Sequence, residues 1–175
     1  MSTKIVPEVL HIDRENIQQF ERKRSGNNGF LLCKAGRISL RMDGNTYGIR
    51  SGYLYIYPAF SETEILDVSA DFAGTAGMAD FNSVMSSILS ASDSLSYINM
   101  RFHPLVALDT RQVERIEEVV GCIERRADLQ TGLKEHVVQA LSQALCYEIV
   151  GIYMEKMQVS QGRQSRKDKM LQQFI

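Results

Sequence analysis

Between Gly29 and Glu64 the chain is cut into short apolar runs by breaks at Ala35-Gly36, Asp43-Gly44, Ser51-Gly52 and Pro58, and that spacing constrains the fold more than any other feature. From Arg37 to Asp43 the alternation is strict, with Ile38, Leu40 and Met42 on one side and Arg37, Ser39, Arg41 and Asp43 on the other. Successive side chains of a strand point to opposite faces, so this segment reads as a strand with one buried and one wet face. Asp43-Gly44 suits a two-residue primed hairpin turn, because glycine takes positive φ without steric cost. Short strands at this regular interval indicate a small sandwich or barrel.

The flanking segments extend that picture. Val9–Ile12 reads as an edge strand or a lid, and Ile65, Leu66 and Val68 continue the sheet. Phe72–Met78 is rich in Gly and Ala, which suits a strand where backbones approach closely. Asp80 is placed to cap a short helix near 80–90 through Phe81, Val84, Met85, Ile88 and Leu89; Ser90–Ser96 then reads as loop and Tyr97–Pro104 as a connector.

After Leu108 the period changes. Asp109 or Thr110 can cap a helix whose apolar positions Val113, Ile116, Val119, Val120 and Ile123 recur every turn. A longer helix is expected from about Leu133 to Met157, with Val137, Leu141, Ala144, Leu145 and Glu148 in its stripe and expected at the dimer interface. So broad an apolar surface needs cover on two sides, and the expected solution is packing on the sheet and on a second copy of the chain. Gly121 and Gly151 within the helices suggest close passage of another backbone. Ser160-Gln161-Gly162 is expected to break the long helix before a third begins at Arg166. The organisation is thus a barrel over 1–107, a helical hairpin for dimerisation over 108–158, and the start of a linker helix over 159–175.

Charge excludes one class of function. Twenty basic residues are matched by 21 acidic ones, for a net charge of −1, whereas gripping nucleic acid needs many cations on one face. Only Arg163–Lys169 is locally basic, which fits a solvated surface or a weak phosphate contact. Three widely spaced cysteines match no disulfide or zinc framework and read as reduced core fillers. The polar start lacks a signal-peptide core and no apolar run looks long enough to span a membrane, so a cytoplasmic chain is expected. The histidines are His11, His103 and His136, with none between Asp13 and Phe102, so no metal site is expected. There is no nucleophile elbow, P-loop or dinucleotide fingerprint, and Glu62 and Glu64 read as solvated; no catalytic residue, cofactor or enzyme activity is expected.

The stretch GRISLRMDGNTYGIRSGYLYIYPAFSETEI, with Cys33–Gly36, Gly52–Pro58 and the helix LSQALCYEIVGIY, resembles the N-terminal cupin-like sensor half of AraC-type (AraC/XylS) transcription regulators, particularly Bacteroides-like members. The resemblance covers roughly Val9 to Ile175 and rests on the order of elements rather than on one motif. It implies an α+β fold, a small cupin-like double-stranded β-helix barrel followed by two or three helices. It implies a homodimer joined through those helices, an effector pocket in the barrel, and DNA reached only through a helix-turn-helix domain absent from this chain. Metal-dependent cupins use histidines where this chain has Pro58-Ala59-Phe60-Ser61-Glu62, which points to a metal-free barrel. Sugar-sensing relatives place a basic ligand contact where Lys34 stands. Tyr53, Tyr55 and Tyr57 share one strand face, either a stacking surface for a small molecule or cover for the outer sheet under a helix. Arg41 is a further ligand candidate or a solvated side chain. The expected function is effector sensing, with a sugar or organic acid as the ligand class. The alternatives are a metal-free cupin enzyme acting on a small carbohydrate or acid through Lys34, Arg41 or the tyrosines, and a dimerisation scaffold that binds nothing.

Overall fold

A computed structural model describes residues 8–18, 21, 26–80, 94–127 and 132–172, and the side chains of 9–18, 21, 26–79, 98–126 and 132–157. The described residues form eight strands: β1 (Glu8–Asp13), β2 (Asn27–Ala35), β3 (Arg37–Met42), β4 (Asn45–Arg50), β5 (Tyr53–Tyr57), β6 (Thr63–Val68), β7 (Ala73–Asp80) and β8 (Leu105–Ala107). The described helices are α1 (Ser94–Phe102), α2 (Thr110–Ala127) and α3 (Lys134–Gln172).

The strands form two antiparallel sheets, one ordered β1-β7-β2-β5-β8 and the other β4-β3-β6. The β3–β4 hairpin closes on Met42 opposite Asn45, and Asp43 and Gly44 both take positive φ, at 47° and 83°. That is the primed turn its sequence calls for. Ile38, Leu40 and Met42 point inward from β3, while Arg37 and Arg41 face water. The segment around Val9–Ile12 is an edge strand, paired along its length with β7.

Two apolar cores share the larger sheet. Inside the barrel, Leu31, Cys33, Ile38, Leu40, Ile49, Tyr55, Tyr57, Phe72 and Ala76 pack together with almost no exposed surface. On the other side, Phe30, Leu32, Leu54 and Ile56 meet Met100, Ile116, Val120, Leu145, Ile149 and Tyr153 from the three helices. The chain is therefore an α+β protein, a small cupin-like barrel with helices laid against one of its sheets.

α2 starts at a reciprocal cap. The Gln112 backbone N–H donates to Asp109 Oδ1 at 2.9 Å, and the Asp109 N–H donates to Gln112 Oε1 at 3.1 Å. Arg115 on α2 pairs with Glu148 on α3, and the bond to Glu148 raises the guanidinium's pKa further.

Several expectations are corrected. Asp80 ends β7, opposite Asn27, and the helix expected near 80–90 lies outside the described residues. Ser94–Phe102, expected as loop and connector, is a helix, and Leu105–Ala107 pairs with β5 as an eighth strand. α3 runs for 39 residues without a break at Ser160-Gln161-Gly162, since one interior glycine costs a helix only ~1 kcal/mol. The same helix is apolar enough over Lys134–Met157 to cross a membrane by length and composition, against the reading of no such run; 33% of its apolar window is buried inside the domain. Among the described residues no backbone crowds Gly121 or Gly151: the first meets only the Arg125 side-chain tip, the second nothing within 4 Å.

Candidate ligand site

A cleft of about 90 Å³ opens between the outer face of the larger sheet and helices α1 and α3. Its existence traces to β7. Gly74, Ala76 and Met78 belong to the inward-facing set of this strand, so Ala73, Thr75, Gly77 and Ala79 face outward. A strand that presents only small residues to a helix leaves a hollow. At Gly77 an added Cβ would collide with the Phe30 ring, and at Gly74 it would stand 2.7 Å from the Leu32 carbonyl oxygen.

Phe30, Ile56, Pro58 and Val9 wall the cleft from the sheet side, and Leu145, Cys146, Ile149 and Val150 roof it from α3. Met100 and Arg101 close the α1 end. The Arg101 guanidinium donates from Nη1 to the Ala59 carbonyl at 3.3 Å and from Nη2 to Asp43 Oδ2 at 3.1 Å, which fixes it at the rim. The Ser142 hydroxyl donates to the Val138 carbonyl at 2.7 Å, and Asn28 Oδ1 accepts from the Ala59 N–H at 2.9 Å. Burial pushes the Cys146 thiol up to about 11. The Cys33 thiol inside the barrel is also raised to about 11, chiefly by burial.

The residues singled out in the sequence are distributed elsewhere. Tyr55 and Tyr57 face the barrel interior, fully buried, with ring centroids 4.7 Å apart in an edge-on contact. The Tyr55 hydroxyl donates to Met42 Sδ at 3.0 Å. Tyr53, half-buried on the same face, has the Arg50 guanidinium 5.0 Å over its ring and accepts a hydrogen bond from Arg50 Nη2 at 3.0 Å. Leu54 and Ile56, not the tyrosines, lie under the helices. Lys34 stands on the outer side of β2, its Nζ 2.7 Å from Glu117 Oε2 on α2, and the buried Thr75 hydroxyl donates to Glu117 Oε1 at 2.9 Å. Arg41 is on the wet face of the smaller sheet, 2.8 Å from Glu64. The structure thus groups the tyrosines and separates them from Lys34 and Arg41.

On α3, Leu145 is buried in the helix–sheet core, Leu141 packs against that core, and Glu148 pairs with Arg115. Val137 and Ala144 face outward, and with Leu133, Ala140 and Tyr147 they form an exposed line at alternating spacings of four and three. Among the described residues no three His, Cys, Asp or Glu side chains converge on one point.

The cleft residues were missed because they come from elements far apart in the chain. The one signal for them was the Gly/Ala-rich run in β7, read by alternation rather than by composition.

No family model matches this chain, and no curated protein matches it by sequence. Solved structures similar to it include the AraC-like transcriptional activator CuxR, at 10% identity over 85% of this chain and 48% of that one, with a TM-score of 0.44. A variant of apo ToxT from Vibrio cholerae is similar at 10% identity, covering 87% of this chain and 58% of that one, TM-score 0.48. A conserved cupin-barrel protein from Salinispora arenicola is similar at 13% identity over 47% and 68%, TM-score 0.32. The chain spans about half the length of the two regulators.

Proposed function

We propose that the chain is the effector-sensing and self-association half of an AraC-type transcription regulator, a binding module rather than an enzyme. A small molecule enters the cleft, a second copy of the chain pairs along α3, and DNA is reached through a separate domain. One observation carries this reading: α3 has two uses. Its inner face roofs the cleft with Leu145, Cys146, Ile149 and Val150, while Val137, Ala144 and Tyr147 face out on its other side. Spacings of four and three along that outer line are those of a helix-pairing seam, with Ala140 and Ala144 small enough for close approach. A ligand under the helix and a partner on top of it therefore both touch one element, and coupling between them runs through any shift of that helix that the two favour unequally. Binding inside the barrel, against Tyr55 and Tyr57, would require opening a packed core, so the cleft is the site proposed.

The test is the monomer–dimer balance by light scattering. Val137→Glu together with Ala144→Glu should turn a dimer into a folded monomer, because both side chains are outside the core. Leu145→Glu would instead unfold the chain, since Leu145 is 4% exposed. A wild-type chain that stays monomeric at tens of micromolar, with or without cleft ligand, overturns the reading.

A further inference from the structure

We infer that the cleft under α3 takes a small, largely apolar molecule, one ring or one short hydrocarbon chain, ending in a carboxylate or carboxamide whose oxygen is held by Arg101. The inference rests on the sensor reading above and narrows its ligand class.

Three observations point the same way. The first is polarity. Floor and walls are Gly77, Phe30, Ile56, Pro58, Leu145 and Ile149, and no carboxylate lines the site among the described residues. A sugar brings several hydroxyls, each costly to bury without a partner. The Ser142 hydroxyl proton goes to the Val138 carbonyl, and Asn28 Oδ1 accepts the Ala59 N–H, which leaves the lining few groups for a polyol. A cation would find no anionic group among the described lining residues.

The second is size. A cavity of ~150 Å³ lined by Leu, Ile and Phe is enough to bind benzene. The present cleft is smaller, at about 90 Å³, but open at its mouth, so one ring or a short chain can enter it part-way and a nucleotide is too large.

The third is the single anchor. Arg101 is steered to the rim by Ala59 and Asp43, and its guanidinium carries more N–H donors than those two bonds use. Its pair with Asp43 is part-exposed, at 39% and 36%, and such pairs are weak enough to yield to a competing oxygen. A planar fork of donors at one end of an apolar slot selects a molecule with one oxygen-bearing end.

The experiment follows alkylation of Cys146 by iodoacetamide, read by peptide mass spectrometry on the whole chain, with Cys122 as the internal control. Run at about pH 9, the raised thiol still reacts measurably. Hexanoate and hexanamide are the probes for an anionic and a neutral acceptor, and glucose is the polar comparison. The expected result is that saturating hexanoate or hexanamide slows Cys146 labelling while Cys122 is unchanged, and that glucose slows the labelling of neither cysteine. Arg101→Gln, with its fold checked by circular dichroism, should weaken the better probe by roughly tenfold, as loss of a charge-assisted hydrogen bond does. Protection by glucose and not by the acid or amide overturns the ligand class and leaves the sensor reading standing. Equal protection of wild type and Arg101→Gln overturns Arg101 as the anchor. Protection that leaves the monomer–dimer balance unmoved upholds the ligand class and removes the coupling from the sensor reading. No protection by any of the three overturns the site itself.

Discussion

The two sheets of this barrel share a backbone pattern but sit in opposite surroundings. In the three-stranded sheet, β3 keeps Ile38, Leu40 and Met42 inside and shows Arg37 and Arg41 to water. In the five-stranded sheet, β2 and β5 are covered twice, by the barrel interior on one face and the helices on the other. The first sheet therefore tolerates change on alternate residues. The second has no neutral face, and its packing is relieved at the hollow left by Gly77 and Ala79.

That contrast can be broken most sharply at Leu32, which has no exposed surface and packs toward the helices. Leu32→Ala should cost about 3 kcal/mol or more, seen as a fall in the urea midpoint with an unchanged slope. Next comes Gly77→Val, which forces a branched side chain against the Phe30 ring and should cost ~1–3 kcal/mol while closing the cleft. An effect near zero there would mean the sheet and helices part more easily than the doubly covered strands imply.

Alkaline titration sharpens the comparison without a mutation. Cys33 and Cys146 are raised from 9.0 to about 11 and Tyr153 from 10.0 to about 12, each mainly by burial. An acid whose folded pKa is raised ionises first in the unfolded chain, which then binds fewer protons. Stability from these groups is thus complete below about pH 9 and is lost as pH rises through 11 to 12. Urea midpoints measured from pH 7 to 11 should be flat and then fall; a rise above pH 9 would contradict the burial.

Tyr153 offers a smaller, opposite effect. Its hydroxyl is buried among the helix-facing apolar residues with no hydrogen-bond partner among the described residues. Tyr153→Phe should raise the melting point, by about 1 kcal/mol of stability, because an unpartnered hydroxyl loses its hydration on burial. Smallest of all, Arg41→Ala removes only an exposed pair with Glu64 and should change stability by less than ~1 kcal/mol.

The wet sheet was legible in the sequence for the reason it is tolerant: one polar face makes RISLRM alternate, and Asp43-Gly44 fixes the turn. α2 announced itself through Asp109 and a regular apolar period. α1 did not, because Ile98 and Phe102 are exposed, at 47% and 68%, and blur the amphipathic pattern. β8 is three residues long, too short for any period to show. The tyrosine row could be assigned to one face of β5 but not to the inner one, since both faces of that strand are apolar and buried. The cleft was least legible, because it is an absence of side chains on β7 combined with residues from five other elements.

The β3–β4 hairpin tip has a consequence for anyone modifying this protein. Asp43 donates its N–H to the Glu62 carbonyl at 2.9 Å, accepts the Glu62 N–H on Oδ1 at 2.9 Å, and holds Arg101 with its other carboxylate oxygen. Exposed two-residue turns are the usual place to splice in an epitope or a fluorophore. Here such a graft would pull on a strut that ends at the mouth of the cleft.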